Sequence, residues 1–168
     1  MRFNVLILSV FIQLTYSQNA DFPCLRSDFS RFHQLQGKWS SEGKYRLNGA
    51  YIETSGSAEI VSDLGGCALL GLNQSLHNDK FYQERFLISV RDSIFYRSRV
   101  DSEHGSIGLY IGTMVNDSLI MDKGTERIRN RFKLFFEDTD RFTTIILLST
   151  DYGKSWAMVE TNRYRRND

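Results

Sequence analysis

Proline is almost missing from this 168-residue sequence, with Pro23 the single copy, and cysteine occurs only twice. Two cysteines without a nearby histidine pattern do not make a zinc site. The three histidines, His33, His77 and His104, fall in a short N-terminal segment and in turns. No G-x-S-x-G is present, so nucleophilic catalysis by an oriented triad has no support. No pair of histidines has metal-ligand spacing, so no metal and no cofactor is expected. Neither charge dominates: 21 Lys and Arg face 20 Asp and Glu. Overall charge therefore offers no footprint for nucleic acid. A long apolar run is also lacking. The longest, Val5 to Ile12, falls well short of the roughly 20 helical residues that cross a bilayer.

That short run has a use of its own. Arg2 precedes it, and Thr15-Tyr16-Ser17 places small residues at −3 and −1 before Gln18, as in a cleavable export signal. Residues 1–17 are read as a signal peptide, 18–36 as an N-terminal arm with a short helix, and 37–168 as the folded domain. The expected location is secreted or periplasmic, with no membrane span after cleavage. An oxidising compartment would allow Cys24 and Cys67 to pair, pinning the arm to the domain wall. Two buried free thiols are the other reading, and spacing does not decide between them.

Phe29, Phe32 and Leu35 recur at helical spacing and predict one or two helical turns. From Gly37 onward strands and turns alternate. Strands are expected at 38–47, 50–61, 67–73, 80–90, 93–100, 106–115, 118–121, 126–136, 141–149 and 155–165. The breaks hold Asn48-Gly49, Asn78-Asp79, Asn116-Asp117 and similar pairs, which tolerate positive φ or cap their own backbone. The expected fold is all-β: a single antiparallel up-and-down barrel of about ten strands, with the short helix as its plug. Closing such a meander removes its exposed edges.

Alternation then assigns faces. Tyr82, Glu84, Phe86, Ile88 and Val90 form one inward set; Ile94, Tyr96, Ser98 and Val100 a second; Ile128, Asn130, Phe132, Leu134 and Phe136 a third. In the last strand Glu160, Asn162 and Tyr164 compete with the opposite face, and a slip of one residue would exchange the two. The expected ligand-binding residues are Tyr82, Glu84, Tyr96, Asn130, Phe132, Glu160 and Tyr164, around an enclosed cavity lined by Tyr82, Tyr96 and Phe132. Greasy walls with a few oriented polar atoms suit a small, largely apolar molecule. A filled core is the competing reading.

Two motifs have recognisable form. Gly37-Lys38-Trp39 stands where the first long strand begins, with glycine turning the chain and tryptophan covering the barrel floor. It resembles the G-x-W that opens calycin barrels. Ser149-Thr150-Asp151-Tyr152-Gly153-Lys154-Ser155-Trp156 resembles an Asp-box hairpin: Asp151 satisfies turn amides, Gly153 takes positive φ, and Trp156 packs over the turn. Asp151 is thus read as a turn residue and not as an acid catalyst. Together with Gly65-Gly66-Cys67-Ala68-Leu69 and a terminal Tyr164-Arg165, these motifs are similar to those of bacterial DUF1579-type lipocalin-like proteins. The resemblance spans about residues 33–165. It implies a calycin-like barrel and carries over no substrate and no catalytic residue.

Two other functions compete with small-molecule binding. Arg127, Arg129 and Arg131, joined by Arg97 and Arg99, could form an exposed row that meets an acidic partner. Glu84 and Glu160, if both face inward, could act as an acid–base pair.

Overall fold

The computed structural model describes residues 28–103, 105 and 107–167. Ten strands follow a 3-10 helix at Asp28–Leu35: β1 Gly37–Leu47, β2 Ala50–Asp63, β3 Ala68–His77, β4 Lys80–Arg91 and β5 Ile94–Asp101, then β6 Ile107–Val115, β7 Ser118–Gly124, β8 Arg129–Phe136, β9 Arg141–Ser149 and β10 Ala157–Arg166. Each pairs antiparallel with its neighbour in sequence, and β10 returns to pair with β1, closing the barrel. The expected all-β barrel with an N-terminal plug is therefore what the chain forms. The signal-peptide reading and Cys24 lie outside the described residues. Cys67 is disulfide-bonded.

Local chemistry explains the meander. Asn48-Gly49, Asn78-Asp79 and Asp92-Ser93 hold both residues at positive φ, the geometry that matches a two-residue hairpin to strand twist. The plug helix has a period of three, so Phe29, Phe32 and Leu35 stack on one face and are essentially fully buried. Phe29 and Phe32 meet Phe95, and Phe32 also meets Phe136, inside one end of the barrel.

Gly37, at φ +131°, turns the chain from the plug into β1. Trp39 then donates its indole N–H to the Leu35 carbonyl at 2.8 Å. Arg166, from the last strand, lies over the Trp39 ring at 4.2 Å and donates to the carbonyls of Gln34 and Gln36. First and last strands thus lock the floor together.

Two details depart from expectation, and a third settles what the sequence left open. The face of β5 is reversed: Phe95, Arg97 and Asp101 are buried and Arg99 nearly so, whereas Ile94 and Val100 are exposed. Register explains this, since Ile88 pairs with Arg97, Phe86 with Arg99 and Glu84 with Asp101, and paired residues share a face. β8 begins only at Arg129, so Arg127 lies in the preceding turn and no three-arginine strand row exists. In β10 the pairing shifts between Met158 and Glu160, a bulge at Val159 that decides the ambiguous face.

Candidate functional site

The barrel has a closed floor and a polar upper half. Above the plug, Phe86, Phe132 and Phe142 continue the apolar packing. Gly71, opposite Phe86 in register, leaves room for that ring: a Cβ there would sit 2.0 Å from it. Phe142 stacks on Tyr164 at 4.3 Å, nearly parallel.

One layer higher the interior becomes ionic. Arg97 is 3% exposed, and its Nη2 forms a short charge-assisted hydrogen bond to Glu84. Arg99 also approaches Glu84, at 3.2 Å, and donates to Asp101 and to the Tyr82 hydroxyl, each at 2.9 Å. Gly108, beside Arg99 in register, keeps this space free. The Arg97 guanidinium rests on aromatic rings, 4.5 Å from the centroid of Phe132, 5.1 Å from Phe86 and 5.6 Å from Tyr110. Cation–π contact and ion pairing together offset the cost of burying it. Its Nε and Nη1 find no hydrogen-bond partner among the described residues.

Burial acts on the other titratable groups as well. Desolvation raises Glu160 above the ordinary carboxylate range, helped by the nearby Glu84 charge. Asn162 donates to Glu160 at 2.6 Å. Desolvation also raises Tyr82, Tyr110 and Tyr164. For Arg99 burial works against the charge, but Glu84, Tyr82 and Asp101 more than offset it and the guanidinium rises. Lys123 lies over the Tyr110 ring at 5.0 Å and is lowered by desolvation and by both arginines.

At the mouth, His77 is sandwiched between Tyr45 and Tyr82, with ring centroids 5.1 and 5.0 Å away. Desolvation lowers its basicity, against a weaker pull from Glu103. Among the described residues no group of His, Cys, Asp and Glu is arranged to hold a metal ion.

Between floor and mouth lies a cavity of about 40 Å³. Phe86, Phe132, Phe142 and Ile146 form its apolar wall; Asn73, Glu84, Arg97, Glu160, Asn162 and Tyr164 form its polar wall. Four predicted residues therefore meet there: Glu84, Phe132, Glu160 and Tyr164. Tyr82 stands above, in the mouth stack, and Asn130 shares the inward face of β8 without lining the cavity. Tyr96 is on the outer face, paired with Ser89 and Ile111, because β5 is reversed. Arg97, Arg99 and Asp101 were missed. Their signal was present: Glu84 on the facing strand is the counter-charge that alternating arginines inside a barrel require.

Asp151 belongs to the hairpin alone. Its carboxylate accepts from the Ser155 amide and hydroxyl and from the Ser149 hydroxyl. Those bonds, the Ser155 hydroxyl first, lower it to about 2. Trp156 donates to the Gly153 carbonyl, and Arg131, paired with Asp122, covers its ring outside the barrel.

No family model matches the chain, and no curated protein does. Solved structures share its shape, two of them as follows. The S-type phycobiliprotein lyase CPES from Guillardia theta superposes with a TM-score of 0.59 over 83% of this chain and 92% of its own, at 13% identity. Rv2717c from M. tuberculosis superposes with a TM-score of 0.62 over 88% of this chain and 99% of its own, also at 13% identity. The chain shares with them a closed antiparallel barrel of calycin and lipocalin-like form. At this identity the likeness concerns fold alone.

Proposed function

We propose that this chain is an exported lipocalin-like barrel, akin to the DUF1579-type proteins, that binds a small, largely apolar molecule in its interior. One observation carries the binding: an internal cavity with an aromatic wall on one side and convergent polar groups on the other, the usual build of a small-molecule site. Export is supported by the leader-like residues 1–17 and by the disulfide at Cys67. The cavity limits the ligand to a few heavy atoms, since drug-sized molecules occupy about 300–1,000 Å³.

The test is native mass spectrometry of protein purified from its own host, joined to a thermal-shift panel of small apolar and amphipathic molecules. A retained stoichiometric compound, or a saturable rise in Tm, is the expected result. A bare polypeptide mass with no shift across the panel would overturn the binding reading. The outward arginine row has lost its support, because Arg97 and Arg99 face inward and Arg131 is paired. An acid–base role keeps one point in its favour, since Glu84 and Glu160 line the same cavity. Glu160→Gln separates the two: a binder keeps its ligand, whereas an acid–base enzyme loses turnover.

A further inference from the structure

Arg97 has two N–H-bearing nitrogens that the fold leaves unused. Nη2 is committed to Glu84, while Nε and Nη1 have no partner among the described residues, although Arg97 is 3% exposed and lines the cavity. Buried donors of this kind are rare in native proteins unless water or a ligand completes them. The guanidinium is also fixed in place by the Phe86, Tyr110 and Phe132 rings, so it cannot swing out to find a partner elsewhere.

We infer that the cavity is a binding site for a small planar oxyanion, a short-chain carboxylate or an inorganic ion of the same shape, which accepts from the free nitrogens of Arg97. The inference rests on the small-ligand reading above, keeps its size and its cavity, and gives the ligand a charged head in place of a largely apolar character. Three observations support it independently of the orphaned donors.

The first is charge. The upper interior holds three cationic side chains, Arg97, Arg99 and Lys123, but only Glu84 and Asp101 are ion-paired with the arginines. Glu160 lines the same cavity, and burial and the Glu84 charge both favour its neutral form. Of these cations Arg97 lines the cavity, so an anion there meets a fixed positive charge.

The second is size. A volume of about 40 Å³ takes roughly three waters at about 10–15 Å³ each, so it suits a ligand of about three to five heavy atoms. Acetate, propionate, nitrate and bicarbonate fall in that range. The third is the lining. Asn162 and Tyr164 bring further polar groups to the wall, and Phe142 and Ile146 bring apolar surface for a short alkyl chain.

The experiment titrates full-length mature protein with propionate, nitrate, propionamide and xenon, in a buffer free of other small oxyanions. It follows calorimetry, the Arg97 Nε–H resonance and the shift of dissolved xenon. Propionate should bind one to one at least tenfold more tightly than its neutral isostere propionamide, move the Arg97 resonance, and lose that preference in Arg97→Met. Propionate tighter than nitrate identifies an organic acid; nitrate as tight or tighter identifies an inorganic ion.

Propionamide or xenon entering the cavity while both anions fail would overturn the anion inference and leave the small-ligand reading standing. Failure of all four probes would remove both, leaving a cavity filled by water. If Arg97→Met does not fold, the propionate-to-propionamide ratio and the Arg97 resonance in the unaltered protein decide the matter.

Discussion

Replacing Glu84 by glutamine tests whether the ionic layer is built as described. Among the described residues Arg97 has one hydrogen-bonding partner, Glu84, so the change strips the ion pair that holds it. Arg99 is less exposed to the loss, because Asp101 and Tyr82 still hold it at 2.9 Å. Most of the penalty therefore falls on one buried guanidinium. Leaving a buried charge without its partner costs about 3–5 kcal/mol, out of a total of roughly 5–15 for a domain. At about 3 °C per kcal/mol for a chain of this size, Glu84→Gln should lower Tm by about 10–15 °C.

The second half of the cycle is the sharper one. Arg97→Met puts a flexible apolar side chain among Phe86, Tyr110 and Phe132, and leaves Glu84 with Arg99. In the double variant Glu84→Gln/Arg97→Met no charge is stranded, so stability should recover to within about 1–2 kcal/mol of the original. Urea unfolding followed by tryptophan fluorescence gives all four corners. The reasoning fails if Glu84→Gln alone costs less than about 1 kcal/mol, or if the two changes simply add.

The remaining expectations address other layers. The native carboxyl of Glu160 is raised, so its favourable contribution is complete below the unfolded value of about 4.3 and is lost as pH climbs through the native value. Glu160→Gln should therefore gain stability relative to the unaltered protein as pH rises from about 4, measured by denaturant midpoints across pH. Asp151 behaves in the opposite sense: its stabilisation is present above about 3.9 and is lost as pH falls towards about 2. The near-ultraviolet signal of Trp156 should follow that acid loss, and Asp151→Asn should abolish the transition. Gly71→Ala drives a methyl into the Phe86 ring and should cost about 1–3 kcal/mol by calorimetry.

Fold and site were legible in the sequence to different depths. Strand number followed from the turns, because Asn-Gly and Asn-Asp pairs announce where a chain reverses regardless of what the barrel holds. The plug followed from Phe29, Phe32 and Leu35, whose spacing survives the change from an α to a 3-10 period. β5 was read backwards for a physical reason. Ile94, Tyr96 and Val100 look like an inward face only when arginine is assumed to seek water, and Arg97 and Arg99 find Glu84, Asp101 and aromatic rings instead. In β10 alternation alone left two faces competing, because the Val159 bulge changes the count by one and leaves no mark in composition, although Glu160 and Tyr164 do stand inside as expected. Because of β5, the expected cavity residue Tyr96 stands outside, while the residue with the most to offer a ligand had been assigned to the surface.

The ionic layer is hard to explain by stability alone. A barrel interior filled with aliphatic side chains would bury no charge and leave no donor unmatched, and replacing buried ion pairs by apolar groups is often neutral or stabilising. Here an apolar floor already runs from the plug through Phe86, Phe132 and Phe142, so continuing it upward would need no new architecture. Instead the chain holds Arg97 rigidly, with Nη2 on Glu84 and two buried nitrogens that no described residue accepts from. Fixing donors before a ligand arrives removes the reorganisation cost from binding, which is what a recognition site requires and a structural ion pair does not. The expected mark of that difference is a trade: Glu84→Gln/Arg97→Met should match or approach the original in stability while losing all preference for an oxyanion over its neutral isostere.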